Sequence, residues 1–274
     1  MAFKNRWAAE NTEWFKNRWG KGSEEGDKFS DVEEQPEEPL VETSPESVEE
    51  FLSVALNLTS REKNEYIATV LSESDQGNVQ PNAIAWVYYN LMVANGVQKG
   101  LDESSAHNGK APQGWYKGYM TGLGETDYKD QKLPEYIYKY DKNLKGKTYT
   151  DYVQSEYYKQ IITPRVNKTK NYIENTILKN PASNPYPGFT RQGYWGDLNQ
   201  LSGPSKKDAT WKMARAYFWL QKEGKVKNSY VVEFKAGKKT TFIFHQKNVE
   251  AYFKKNKLPD DVPLYDWKTG DKKK

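Results

Sequence analysis

The chain has 274 residues, of which 36% are hydrophobic, 28% charged and 14% aromatic; this fits one large or two small domains and excludes a wholly disordered chain. With no Cys and only two His, disulfides, thiolate catalysis, Cys-ligated zinc and an all-histidine metal site are excluded. The net charge of +4 is segregated, with −10 over residues 21–50, +2 over 1–20 and hence +12 over 51–274, a basic body suited to an anionic partner.

Residues 1–20 repeat the pentapeptide FKNRW at Phe3–Trp7 and Phe15–Trp19. On a helix Phe3, Trp7 and Trp14 share a face, which allows two readings: a partner-docking signal built on Phe3, Trp7, Phe15 and Trp19, or a helix folded back on the body. The start lacks the apolar stretch and cleavage site of a secretory signal peptide, so export by another route is expected, outside the cell or into a target cell's periplasm. Residues 21–47 are rich in Glu, Pro, Ser and Gly and predict a flexible acidic linker.

The globular domain is expected over 48–274. Phe51, Leu52, Ala55 and Leu56 have helical spacing, and Thr59 with Glu62 forms a capping box ahead of the stripe Tyr66, Ile67, Val70 and Leu71. That helix should end near Glu73. Pro81 starts another, with Ile84, Val87, Tyr88, Leu91 and Met92 inward and Asn95-Gly96 as its C-cap. Residues 97–148 read as loop with short helices, and 150–179 as a helical stretch broken or kinked near Pro164. Residues 180–205 form a Pro/Gly/aromatic loop, after which Asp208 should cap a helix to about Glu223. Period-two alternation in 230–235 and 240–245 gives a hairpin, and 248–257 a last helix. The fold class is mainly α (α+β) with one small C-terminal β-hairpin. No run approaches the 18 apolar residues of a transmembrane helix.

The most informative window is IATVLSESDQGNVQPNAIAWVYYNLM, residues 67–92. Glu73-Ser74 at the end of an apolar helix resembles the acid of lytic transglycosylases and goose-type lysozymes. The segment Ala83–Val87 through Asn90 resembles the stretch after the acid in SleB-type cell-wall hydrolases, although Leu91 stands where these carry an Arg. The resemblance covers about residues 60–92. It implies a lysozyme-like helical body, peptidoglycan as partner, no cofactor and no metal, with Glu73 as catalytic acid and Asn90 near substrate.

The chemistry of the residues runs the same way. Glycosidic cleavage needs a carboxylic acid that still holds its proton, and a helix C-terminus and partial burial both disfavour the carboxylate. Asp75 could position water, or bond its own turn. Glu125, Asp127 and Asp197 are candidates for a second carboxylate. Trp115, Tyr194 and Trp195, in Gly-rich surroundings, supply faces for sugar rings, and Asp197 a polar edge. The ten Tyr between Tyr116 and Tyr158 are individually better explained as core. His245 is expected to be structural.

The leading expectation is a muramidase or transglycosylase carried as cargo or effector by a secretion or contractile injection system. The alternative is a non-catalytic structural or adaptor protein of such an assembly. Nucleic acid is disfavoured, since no helix-turn-helix, OB or RRM signature accompanies the basic charge.

Overall fold

A computed structural model of the chain describes residues 51, 54–74, 80–104, 113–139, 141–194, 206–236 and 239–259. The chain divides into two units, Met1–Leu40 and Val41–Lys274, and every described residue belongs to the second. The FKNRW repeat, with Phe3, Trp7, Phe15 and Trp19, lies outside the described residues, as do Asp75, Trp195 and Asp197.

Among the described residues the fold is mainly helical with one three-stranded antiparallel sheet. Helix α1, Ser60–Glu73, begins at the predicted capping box: Thr59 Oγ1 accepts from the Glu62 N–H, and the Glu62 carboxylate accepts from the Thr59 N–H at 2.7 Å. Its stripe of Tyr66, Ile67, Val70 and Leu71 is buried. Phe51 is helical, but the helix expected to continue through Ala55 and Leu56 does not reach them, and residues 54–59 are irregular. The Val54 carbonyl accepts instead from the Tyr89 hydroxyl, and Thr59 takes the extended conformation of an N-cap.

Helix α2, Gln80–Asn95, carries Pro81 in its first turn and stops before Gly96, whose φ is +86°. Ala83 to Met92 are buried without a break, so α2 is a central helix buried on all sides rather than a one-faced one. Helix α3, Val97–Asp102, lies against it at Gly100, where an added Cβ would stand 2.5 Å from the Met92 backbone nitrogen.

Three short helices come next: α4, Gly114–Gly122, α5, Glu135–Tyr138, and α6, Tyr149–Gln154. The chain then breaks at Ser155, not at Pro164. From there a π-turn, Tyr158–Ile162, leads into α7, Thr163–Tyr172, and a second π-turn, Ile173–Ile177, continues it. The first wide turn, in which the Thr163 N–H reaches back to the Tyr158 carbonyl, makes room for the Pro164 ring that a regular turn would exclude.

Strand β1, Arg191–Tyr194, precedes helix α8, Lys206–Lys222; strands β2, Val231–Ala236, and β3, Lys239–Phe244, lead to helix α9, Gln246–Lys255. The predicted hairpin is β2–β3. The expected loop over 180–205 instead contributes β1 as a third strand, giving the order β1-β3-β2. Asp208, expected as a cap, lies inside α8.

Strand β3 separates two apolar clusters. Phe242 and Phe244 join Trp211, Tyr217, Phe218 and Val249 of α8 and α9. Ile243 joins the larger helical core around α1 and α2, with Val232 and Phe234 packed beside it. Period-two alternation thus buries the sheet on both faces, as a middle layer.

Candidate functional site

Glu73 ends α1, half-buried. Its Oε1 accepts from Ser104 Oγ at 2.6 Å, and its Oε2 accepts from Gln192 Nε2 at 3.2 Å. Ser104 comes just after α3, in a turn closed by its N–H on the Leu101 carbonyl, and is fully buried. Gln192 arrives from β1, where the register pairs Gln192 with Ile243 and so sets it on the face toward the helical core. Two segments separated from Glu73 by 31 and 119 residues therefore orient one carboxyl group.

Tyr88 of α2 completes the corner. Burial pushes its phenol well above the ordinary value, and the charges of Glu73 and Glu103 add to that, while hydrogen bonds with Ser104 and Gln192 oppose it. Tyr88 is therefore a neutral hydroxyl at the carboxyl. Beside it Arg191 Nη1 pairs with Glu103 Oε2 at 2.8 Å, and Arg191 Nε donates to Gln246 Oε1 at 2.5 Å. Glu103 brings a second carboxylate to this side of the fold, about two-fifths exposed. Chemically the corner offers an oriented carboxyl among hydroxyl and amide groups, the equipment of a proton donor or acceptor.

The other expected residues fall elsewhere. Asn90 is fully buried on α2 and serves the chain itself: its Nδ2 donates to the Tyr186 and Phe189 carbonyls at 2.6 and 2.9 Å, and its Oδ1 accepts from Asn184 Nδ2 at 2.8 Å. Asn90 is thus a clamp on the 184–189 segment, not a substrate contact. Trp115, half-buried at the start of α4, packs its ring near Tyr136 and Tyr152, with centroids 6.3 and 6.4 Å away. Tyr194 is the last residue of β1, paired with Thr241.

Glu125 and Asp127, candidates for a second carboxylate, gather at the opposite end of α1. Arg61 holds Asp127 at 2.5 Å and Glu65 at 3.1 Å, and Glu125 accepts from Asn64 at 2.9 Å. Eight to twelve residues of helix place the α1 side chains of that cluster roughly 12–18 Å from Glu73 along the axis, beyond the carboxyl spacing of a glycosidase pair. Within the tyrosine run, Tyr116, Tyr119, Tyr149, Tyr152 and Tyr158 are buried core residues. His245 is structural too, as the N-cap of α9.

Sequence reading misses Tyr88, Glu103, Ser104, Arg191 and Gln192. Tyr88 reads as one more core residue of its helix, and the strand that delivers Gln192 carries no alternation of its own. Among the described residues no three acidic or His side chains are grouped to hold a metal ion, and no helix is long and apolar enough to cross a membrane. No protein-family model, curated protein or solved structure matches the chain.

Proposed function

We propose that the body cleaves the glycan strands of peptidoglycan, as a muramidase or lytic transglycosylase, with Glu73 as the general acid. The observation that carries this reading is the Glu73 carboxyl itself, half-buried at the end of an apolar helix and oriented by Ser104 and Gln192 from two other elements. In the proposed reaction the protonated carboxyl gives its proton to the glycosidic oxygen as the bond to the anomeric carbon breaks. Water, or a hydroxyl of the sugar, then bonds to that carbon and gives its proton back to the Glu73 carboxylate. The basic charge of residues 51–274 favours an acidic polymer as substrate. The repeated aromatic and basic segment at 1–20 is proposed to load the protein onto a secretion or contractile injection machine.

A second reading is a non-catalytic scaffold or adaptor of such a machine. One observation favours it: both oxygens of Glu73 are hydrogen-bonded within the protein, so the group also works as a clasp between α1 and the sheet.

The test is Glu73→Gln. The Ser104 hydroxyl can turn to accept, and the Gln192 amide can flip, so the substituted amide is accommodated and the fold should persist. Release of soluble fragments from purified peptidoglycan should fall ~10²-fold or more at unchanged glycan affinity. Undiminished cleavage by the variant would end the catalytic assignment. A wild-type protein inert on every peptidoglycan tried would favour the scaffold.

A further inference from the structure

We propose that Gln192 is a positioning residue for Glu73, holding its carboxyl through an amide that can serve both the carboxylate and the carboxylic acid; this rests on the general-acid reading above.

The first observation is geometric. Gln192 Nε2 lies 3.2 Å from Glu73 Oε2, while Gln192 Oε1 is buried with no hydrogen-bond partner among the described residues. A buried acceptor without a partner is unfavourable, and each such group in a folded protein calls for an explanation. When Glu73 carries a proton, a flip of the amide presents Oε1 to the acid O–H, and the unused acceptor becomes the used one. Ser104 Oγ, 2.6 Å from the other oxygen, has the same double capacity by rotation. A general acid passes through both forms in every turnover, so its holders must fit both.

The second observation is the sheet register. Gln192 pairs with Ile243 and faces the helical core, whereas Arg191 pairs with Phe244 and is taken by Glu103 and Gln246. A slip of one residue would bring the arginine to the place of the amide. A guanidinium has donors only and would fit the carboxylate alone. The register therefore selects the amphoteric side chain over the cationic one next to it.

The experiment compares Gln192→Leu, which removes donor and acceptor, with Gln192→Arg, which keeps donors but has no acceptor. On peptidoglycan fragments both variants should lose about tenfold or more in kcat, with KM within about twofold of wild type. Ser104→Thr, which keeps the hydroxyl, should stay within about threefold, and Ser104→Ala should not. A Gln192→Leu protein with wild-type kcat would overturn the proposal, and so would a Gln192→Arg protein with wild-type kcat, since any donor would then suffice. A second readout does not need activity. With 13C-carboxyl-labelled glutamate, the Glu73 resonance, identified by its loss in Glu73→Gln, should lie apart from those of exposed glutamates and move toward them in Gln192→Leu. An unmoved resonance would overturn positioning even in an inert protein, whereas inertness with a moved resonance would defeat only the catalytic reading.

Discussion

The amide of Asn90 satisfies two backbone carbonyls and one side chain inside the fold, all from residues 184–189. Asn90→Ala leaves these groups without partners in a site that excludes water, at ~1–3 kcal/mol each before relaxation. Urea unfolding should show a loss of about 2–4 kcal/mol. A loss below about 0.5 kcal/mol would refute the clamp. At the same segment Gly188, at φ +77°, passes so close to His245 that a Cβ would stand 2.4 Å from Nε2. Burial pushes His245 down to about 4, and Lys247 pushes the same way. The folded protein thus keeps this imidazole neutral where the unfolded chain takes a proton, near pH 6.5. The stabilisation is full above about pH 6.5 and is lost as pH falls toward 4, ~3 kcal/mol in all. His245→Asn keeps an N-cap acceptor and should flatten the melting-temperature profile over that window. An unchanged slope would show that other groups govern it.

At the scale of elements, the helix around α7 shows how tertiary demand reshapes a local pattern. Its buried positions are Tyr158, Ile162, Val166, Thr169, Ile173 and Ile177, nineteen residues in five steps, or 3.8 per turn. A regular α-helix at 3.6 would drift about 20° per turn off that line, and the two π-turns take up the excess. Helix α1 is the contrary case, legible from its cap: Thr59→Ala should cost about 1 kcal/mol by thermal unfolding, and no measurable change would deny the cap its role. The limits of the sequence fall along the same division. Caps, the α1 stripe and the β2–β3 alternation depend on residues a few positions apart, and they can be read. Glu73 is legible from its place after an apolar helix. Its partners are not, because Ser104 and Gln192 meet it across 31 and 119 residues, and β1 exists only by pairing with β3. Asn90 misleads for the same reason: a polar residue on a buried helix reads as a ligand contact until the loop that it holds is known.

Across the whole molecule, every described element lies after residue 50, so residues 48–274 should fold alone with a melting temperature within about 10 °C of the full chain. That piece also contains the middle strand, which gives Ile243 to one core and Phe242 and Phe244 to the other. Neither core can come apart without stripping a neighbour from a strand that the other still needs, so the two are joined in a single cooperative event. Calorimetry on residues 48–274 should give one transition, with calorimetric and van't Hoff enthalpies equal. Two resolved peaks would mean that the α8–α9 layer melts on its own, and that Gln192, carried on the same sheet, can leave Glu73 while the helical body stays folded.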